Sequence, residues 1–260
     1  MKIKSIVFAF LLFCFMMAGS ISSYSQMISP GEDITYEVSF LGVGFGSIRM
    51  VTESYTTFEG KQAVKAKCYM DSYKGIPFVS LHAVFDSWFD QSVSYSYKFE
   101  SHMKENDYWL YDQIYFNHAK KQIEVEKWKK KDKYFGNIIK TDKKYVDGLT
   151  IFFLARQYLR SKKNVRIPTL IDKDIASTVI NFVGSKANVE IDNCSYPIKT
   201  IYFNGKTEWT GIYGLNGTFE GWFSDDAAAV PIKAKLSVYI GSINVELKKW
   251  KRSGWAPPKG

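Results

Sequence analysis

At 260 residues, with 46% hydrophobic and 23% charged positions, the chain has material for a sizeable core and lacks the charge excess of a disordered protein. Lys and Arg number 35 against 26 Asp and Glu, a formal +9, which favours anionic surfaces through long-range attraction. His82, His102 and His118 are the only histidines, and no HExxH, CxxC, GxSxG or P-loop is present, so the usual zinc, hydrolase and nucleotide motifs are excluded.

Lys2 and Lys4 precede an unbroken apolar run from Ile6 to Met17, and small and polar residues follow from Ala18 to Ser25. That order predicts a secretory signal peptide over residues 1–25, cut after Ser25. The run is shorter than the roughly 20 apolar residues of a spanning helix. Cys14 sits inside the run, after Leu11, Leu12 and Phe13, which argues against lipidation. No later segment is long and apolar enough to cross a bilayer as a helix. The expected mature chain begins at Gln26, is soluble and periplasmic, and carries 33 basic against 26 acidic residues. Nucleic acid is an improbable partner in that compartment. Cys68 and Cys194 remain, and an oxidising compartment permits a bridge, though two buried free thiols are the commoner outcome.

Alternation dominates from Asp33. Ile34, Tyr36, Val38 and Phe40 share one face of a half-buried strand. Gly42 to Gly46 (GVGFG) reads as a turn or bulge. Strands are predicted over Ser47–Thr57, Lys61–Tyr73, Leu81–Phe89, around Tyr95–Phe99, Tyr108–Phe116 and Gln122–Trp128. This close spacing predicts a meander of antiparallel hairpins.

Asp147 to Ser161 (DGLTIFFLARQYLRS) fits a helix. Asp147 can cap its first turn, and Leu149, Phe152, Ala155 and Leu159, widened by Leu154 and Tyr158, form an apolar stripe. Such a helix needs cover on most sides, so it is expected on the concave face of the sheet. Arg160, Lys162 and Lys163 suit its C-terminal end. Strands return over Val165–Ile171, Thr178–Val183, Asn188–Ile191, Ile198–Phe203, Gly217–Phe223, Ile232–Tyr239 and Ile243–Leu247. From Lys248 the chain reads as a tail leaving the last strand. The expected fold is mainly β: a large curved antiparallel sheet, half-barrel or open-barrel like, with one packed helix. Residues 26–260 read as one β-rich domain, or two β-rich halves around the helix at 147–161.

Three polar groups invite a chemical reading. His82, Asp86 and Asp90 share a strand face with Val84 and Trp88, while Leu81, Phe85 and Phe89 occupy the core side. Four strand residues span about 13 Å, beyond hydrogen-bond reach, so the arrangement predicts a solvent face more than a dyad. Asp225-Asp226 can bind a cation, but Ser-Asp-Asp before a proline predicts a hairpin turn. Lys127, Lys129, Lys130, Lys131 and Lys133 lie in a basic stretch from Lys120 to Lys144. They read either as a docking patch for an anionic envelope surface or as lysines that protect an edge strand. The 19 Phe, 17 Tyr and 7 Trp serve a core or line a cavity between sheet and helix. No catalytic or metal-binding residue and no cofactor is expected.

Two segments carry a family resemblance. Gly31 to Ile48 (GEDITYEVSFLGVGFGSI) and Gly217 to Leu247 (GTFEGWFSDDAAAVPIKAKLSVYIGSINVEL) resemble the exported bacterial family termed domain of unknown function 3108. Gly31, Glu32, Tyr36 and Gly46 match its opening pattern, and Trp222, Ser224, Asp225, Asp226, Pro231, Gly241 and Ile243 its closing one. Ala227 to Ala229 depart from the charged residue and Arg usual before the proline. The resemblance implies a periplasmic β-rich fold and no established activity. A looser likeness is to the periplasmic lipoprotein-carrier fold, a half-barrel that holds acyl chains under helices.

These features fit a non-enzymatic binding or carrier protein for an apolar or amphiphilic, lipid-like ligand. Alternatives are an envelope-assembly or protein-interaction module and, less favoured, an envelope hydrolase. An outer-membrane barrel also alternates, but the apolar helix and the Pro-Pro-Lys-Gly terminus weigh against it.

Overall fold

The computed structural model describes residues 27–76, 80–105, 107–209, 217–238 and 241–260. The expected signal peptide and its cleavage point lie outside them.

Alternating side chains build β1 (Asp33–Phe40), β2 (Val43–Phe58), β3 (Lys61–Ser72) and β4 (His82–Asp90). They continue through β5 (Ser96–Glu105), β6 (Tyr108–Asn117), β7 (Gln122–Lys129) and β8 (Asp132–Lys140). The helix α1 (Thr150–Tyr158) follows. Then come β9 (Asn164–Ile171), β10 (Asp174–Asn181), β11 (Lys186–Val189) and β12 (Ile198–Thr207), and last β13 (Gly217–Ser224), β14 (Pro231–Ser237) and β15 (Ser242–Lys251). All belong to one antiparallel sheet, ordered β8-β7-β6-β5-β4-β3-β2-β1-β15-β14-β13-β12-β10-β9, with β11 paired to β12. Pairing of β1 with β15 joins the two hairpin series, so the sheet runs unbroken on both sides of the helix in sequence.

The sheet curves but does not close. Its free edges are β8 and β9. Near one end the gap is crossed by Tyr145–Asp147. The Tyr145 carbonyl accepts from Ser96 N–H at 2.9 Å, while Val146 exchanges backbone bonds with Pro168 and Leu170 of β9. Pro168 is tolerated because β9 is an edge.

The GVGFG segment holds both expected features. Leu41-Gly42 is the turn, with Gly42 at φ +82°, and a bulge at Phe45 shifts the β1–β2 register. On the inner face, Phe203 lies over Gly221, where an added Cβ would come within 2.5 Å of its ring. Glycine is required there for close approach of the aromatic layer.

The helix lies inside the curve, as expected. Phe153, Leu154, Ala155 and Leu159 join Val64, Phe85, Phe89, Phe182 and Phe223 in the main core. The helix is shorter than predicted, and Phe152 and Tyr158 are not in its buried stripe. They are 45% and 37% exposed, while Ile151, Phe153 and Arg156 are buried. The sheet surrounds the helix unevenly, so burial does not follow the apolar pattern of the helix alone.

The C-terminal segment is also corrected. Lys248–Lys251 continue β15, and the rest is pinned. Trp255 donates to Asp226 at 2.7 Å, and Lys199 N–H donates to the Pro258 carbonyl at 2.8 Å. Packing of Trp255 against Trp250 adds to this anchoring. Cys68 is buried in the main core and Cys194 is half-buried beside a second one; both are free thiols.

Candidate functional site

Each sequence candidate finds a definite place. His82 is exposed and pairs with Asp71 across the β3–β4 ladder, its Nδ1 against the carboxylate. Asp86 is buried on the outer face, 3.2 Å from Lys67. Asp90 accepts from the backbone N–H groups of Ser92, Ser94 and Tyr95 and fixes the β4–β5 turn. The three do not form one site. Beside His82 lies a cleft of about 530 Å³, with Tyr73, Leu81 and Lys104 in its walls. The nearby Ser72 hydroxyl accepts from the Leu81 N–H at 2.9 Å, and Ser80 also lines this cleft.

The Ser-Asp-Asp motif is a turn, as its residue types predict. Asp226 Oδ1 accepts from the Ser224 hydroxyl and from the N–H groups of Ala228 and Ala229, each within 3.0 Å. Asp225 binds Lys186 at 2.9 Å and Arg160 at 3.1 Å. Those two cations hold its carboxyl below the usual range. Arg160 therefore ties α1 to this turn instead of serving the end of its own helix.

Arg156, one helical turn earlier, sits in the same junction. Its guanidinium makes a forked pair with Glu32 at 2.8 and 3.1 Å, and donates to the carbonyls of Met27 and Ala228. Arg252 binds Glu32 from the other side. Burial alone would raise the Glu32 carboxyl, but Arg156 and Arg252 outweigh it and hold it below its ordinary value. The opening Gly-Glu and the closing Ser-Asp-Asp thus meet at one buried clasp on α1. Arg156 was missed from sequence because an arginine between apolar residues reads as the wet side of a helix.

A second polar centre fixes the helix start. Asp147 is fully buried. Its Oδ2 accepts from the hydroxyls of Ser87, Ser96 and Thr150, and its Oδ1 from the N–H groups of Leu149 and Thr150. The expected cap is present, and it also anchors the helix to β4 and β5.

Of the five expected patch lysines, Lys127 faces inward. It bridges Asp112, at 3.3 Å, and Asp172 in the β9–β10 turn, tying β6 and β7 across the open seam. Strand alternation puts it on the concave side with Asp112, which removes it from any outer patch. Lys133 binds Glu126, and Lys129 lies 4.4 Å from the Tyr108 ring centre. Lys130 and Lys131 are exposed at the β7–β8 turn. Since β8 is a sheet edge, the edge-protecting role of these lysines fits the topology.

The concave face is unevenly filled. A slit bounded by Phe152, Tyr36, Met50 and Pro231 holds about 10 Å³, room for one water at most. Toward the end where β1 turns into β2 and β3 into β4, the lining is only half covered. Ile48, Met70, Ala83, Met103 and Leu110 pair in one row across β2 to β6. Phe40, Ile243, Leu236 and Phe219 form a second row across β1, β15, β14 and β13. All but Ala83 are half-buried. One position deeper on β6 sits Asp112, whose buried Oδ1 has no hydrogen-bond partner. Burial raises its carboxyl above the usual range, only partly countered by Lys127. The concave mouth is therefore an apolar wall with one polar acceptor at its side. Among the described residues no three His, Cys, Asp or Glu side chains group to hold a metal ion, and no helix is long and apolar enough to cross a membrane.

Comparison with known proteins agrees with this architecture. No curated protein matches the chain. A crystal structure of a β-barrel-like protein of domain of unknown function DUF1849 from Brucella abortus superposes with a TM-score of 0.56 at 9% identity. It covers 86% of this chain and 98% of that one, and shows the fold alone. A protein described as exported, with a YmcC-like fold, from Bacteroides fragilis aligns at a TM-score of 0.37 and 9% identity, over 86% and 96% of the two chains. The sequence profile of the protein family of unknown function DUF3108 matches residues 35–248. The chain belongs to the DUF3108 family.

Proposed function

We propose that this chain is an exported, periplasmic, non-enzymatic binding or carrier protein for an amphiphilic, lipid-like ligand. The observation that carries the reading is the half-covered apolar lining of the concave mouth, from Ile48 through Met70 and Met103 to Leu110. Buried apolar surface gives a ligand tail about 25 cal/mol per Å², and methionines adapt to irregular chains. The unpartnered Asp112 Oδ1 offers an acceptor for a hydroxyl or ammonium on the head. Because the space behind α1 is filled, the ligand lies in the mouth. An envelope-assembly or protein-interaction role is the second reading, favoured by the edge strand β8, where Tyr134 and Ile138 are each 57% exposed.

Native mass spectrometry of the mature protein from its own periplasm, with lipid analysis of what co-purifies, tests the carrier reading. A lipid at fixed stoichiometry is expected, and it is lost in a folded Met70→Trp, Met103→Trp variant that fills the mouth. An apo mass together with no saturable uptake of a fluorescent fatty acid overturns it and leaves the protein-interaction role.

A further inference from the structure

The turns at the mouth end of the sheet differ in character from those at the other end. Alternate connections of an antiparallel meander share an end, so the β1–β2, β3–β4, β5–β6, β7–β8, β9–β10 and β14–β15 turns ring the mouth. Among the described residues, six of the eleven exposed large apolar side chains lie there: Leu41, Val43, Tyr73, Trp109, Tyr134 and Ile175. The opposite end presents Glu59-Gly60, the stretch from Asn117 to Gln122, and Asp225-Asp226, and among the described residues Tyr55, Tyr158 and Val183 are its exposed large apolar side chains.

The β1–β2 turn is the extreme case. Leu41 is 67% and Val43 62% exposed, the two highest values for large apolar side chains among the described residues. Phe40 pairs with Val43, so Leu41-Gly42 is a two-residue hairpin loop with both residues in the left-handed region, at φ +49° and +82°. Such loops favour Asn-Gly or Gly-Gly, and a leucine enters that region only at a cost. Here the strained backbone displays an apolar side chain to solvent, where it gains little burial. No charged residue occurs from Ser39 to Ser47. Glu59, Lys121, Lys130 and Asp172 take the same left-handed form at other turns, so what sets this tip apart is an apolar side chain where those turns carry a charged one.

We propose that this end docks on a phospholipid bilayer, with Leu41 and Val43 inserting and Trp109 and Tyr73 at the headgroup level. The apolar residues stand on separate convex tips around a rim. A rim of tips meets a planar, deformable apolar phase, whereas a protein groove needs one continuous complementary face. Trp and Tyr are the side chains that favour a membrane–water interface. Lys74, Lys104, Lys130 and Lys131 on nearby turns are offset by Glu105, Asp107 and Asp132, so apolar insertion and not net charge drives the contact. The proposal does not depend on the carrier reading, although it would face the mouth toward the lipid.

The test is co-sedimentation of the mature chain with phosphatidylcholine vesicles, and with vesicles that also contain phosphatidylglycerol, at low and raised salt. Binding to both kinds, unchanged by salt, is expected. A Leu41→Asn, Val43→Asn variant should bind about tenfold more weakly or worse, since each buried aliphatic side chain is worth that much. Asparagine suits the left-handed position 41 and Val43 is an exposed strand-end residue, so this variant should keep a cooperative melting transition, which separates lost docking from misfolding. No sedimentation, unchanged binding in the variant, or binding only to the anionic vesicles with loss at raised salt overturns the proposal. Failure here leaves the ligand measured by native mass spectrometry untouched.

Discussion

Arg156 and Glu32 form a forked ion pair across 124 residues of sequence, with each side chain 4% exposed. The pair joins the N-terminal segment, the helix and the Ala228 turn, and Arg252 completes it from just beyond β15. A buried pair of this kind is a weak net stabiliser when intact, but removing one member leaves charge stranded in the core.

Arg156→Met is therefore expected to cost about 3–5 kcal/mol and to lower the melting temperature by roughly 6–20 °C. Glu32 keeps Arg252 as a partner in that variant, so adding Glu32→Gln should recover none of the loss. The folded Glu32 carboxyl lies below its ordinary 4.5, so its contribution is present above that value and is lost as the pH falls through the folded one. Urea midpoints measured from about pH 3 to pH 7 should show this acid dependence shrinking in Arg156→Met.

Asp147→Ala removes the acceptor shared by the hydroxyls of Ser87, Ser96 and Thr150 together with the first-turn cap. A loss of about 3 kcal/mol is expected, seen as a melting shift of roughly 6–12 °C. A shift under about 2 °C would mean that water replaces the carboxylate and that the hub does not fix the helix.

Asp112 shows the opposite sign. Its folded carboxyl is raised above the ordinary 3.8, chiefly by burial. Its share of stability is thus present below the ordinary value and is lost as the pH rises through the folded one. Relative to the parent, Asp112→Asn should gain stability as the pH is raised from about 3 to 7. A flat difference in urea midpoint across that range would contradict the assignment.

The two cysteines should differ in reactivity. Burial drives the Cys68 thiol up to about 12, whereas Cys194 is half-buried. Thiolate is the reactive form, so iodoacetamide on the native mature protein should label Cys194 and spare Cys68. Mass analysis reads the sites, and unfolding in urea should expose both. Labelling of Cys68 without denaturant would show that the core around it opens.

Much of this architecture was legible from residue order. The alternation of Ile34, Tyr36, Val38 and Phe40 places β1 with its observed bounds, and Asp147 announces the helix start. Turn chemistry identified Asp225-Asp226 as structural, and the half-barrel with an internal helix followed from strand spacing and one apolar segment. These features are local: backbone geometry and side-chain period act within a few residues.

Only the tertiary structure decided the rest. A period of two says that Asp112 shares a face with Leu110 and Ile114, but not that Lys127 joins it on the inner side or that Asp172 closes the seam. Nor could helical spacing separate Phe152, left partly open, from Arg156, buried and paired, since each outcome depends on which strand edge stands opposite. The C-terminal run looked like a free tail because its anchors, Asp226 for Trp255 and Lys199 for Pro258, lie 29 and 59 residues away. Sequence fixes what each segment can form on its own; the pairing of β1 with β15 and the curvature it closes select which distant groups meet, and burial then sets their charge states.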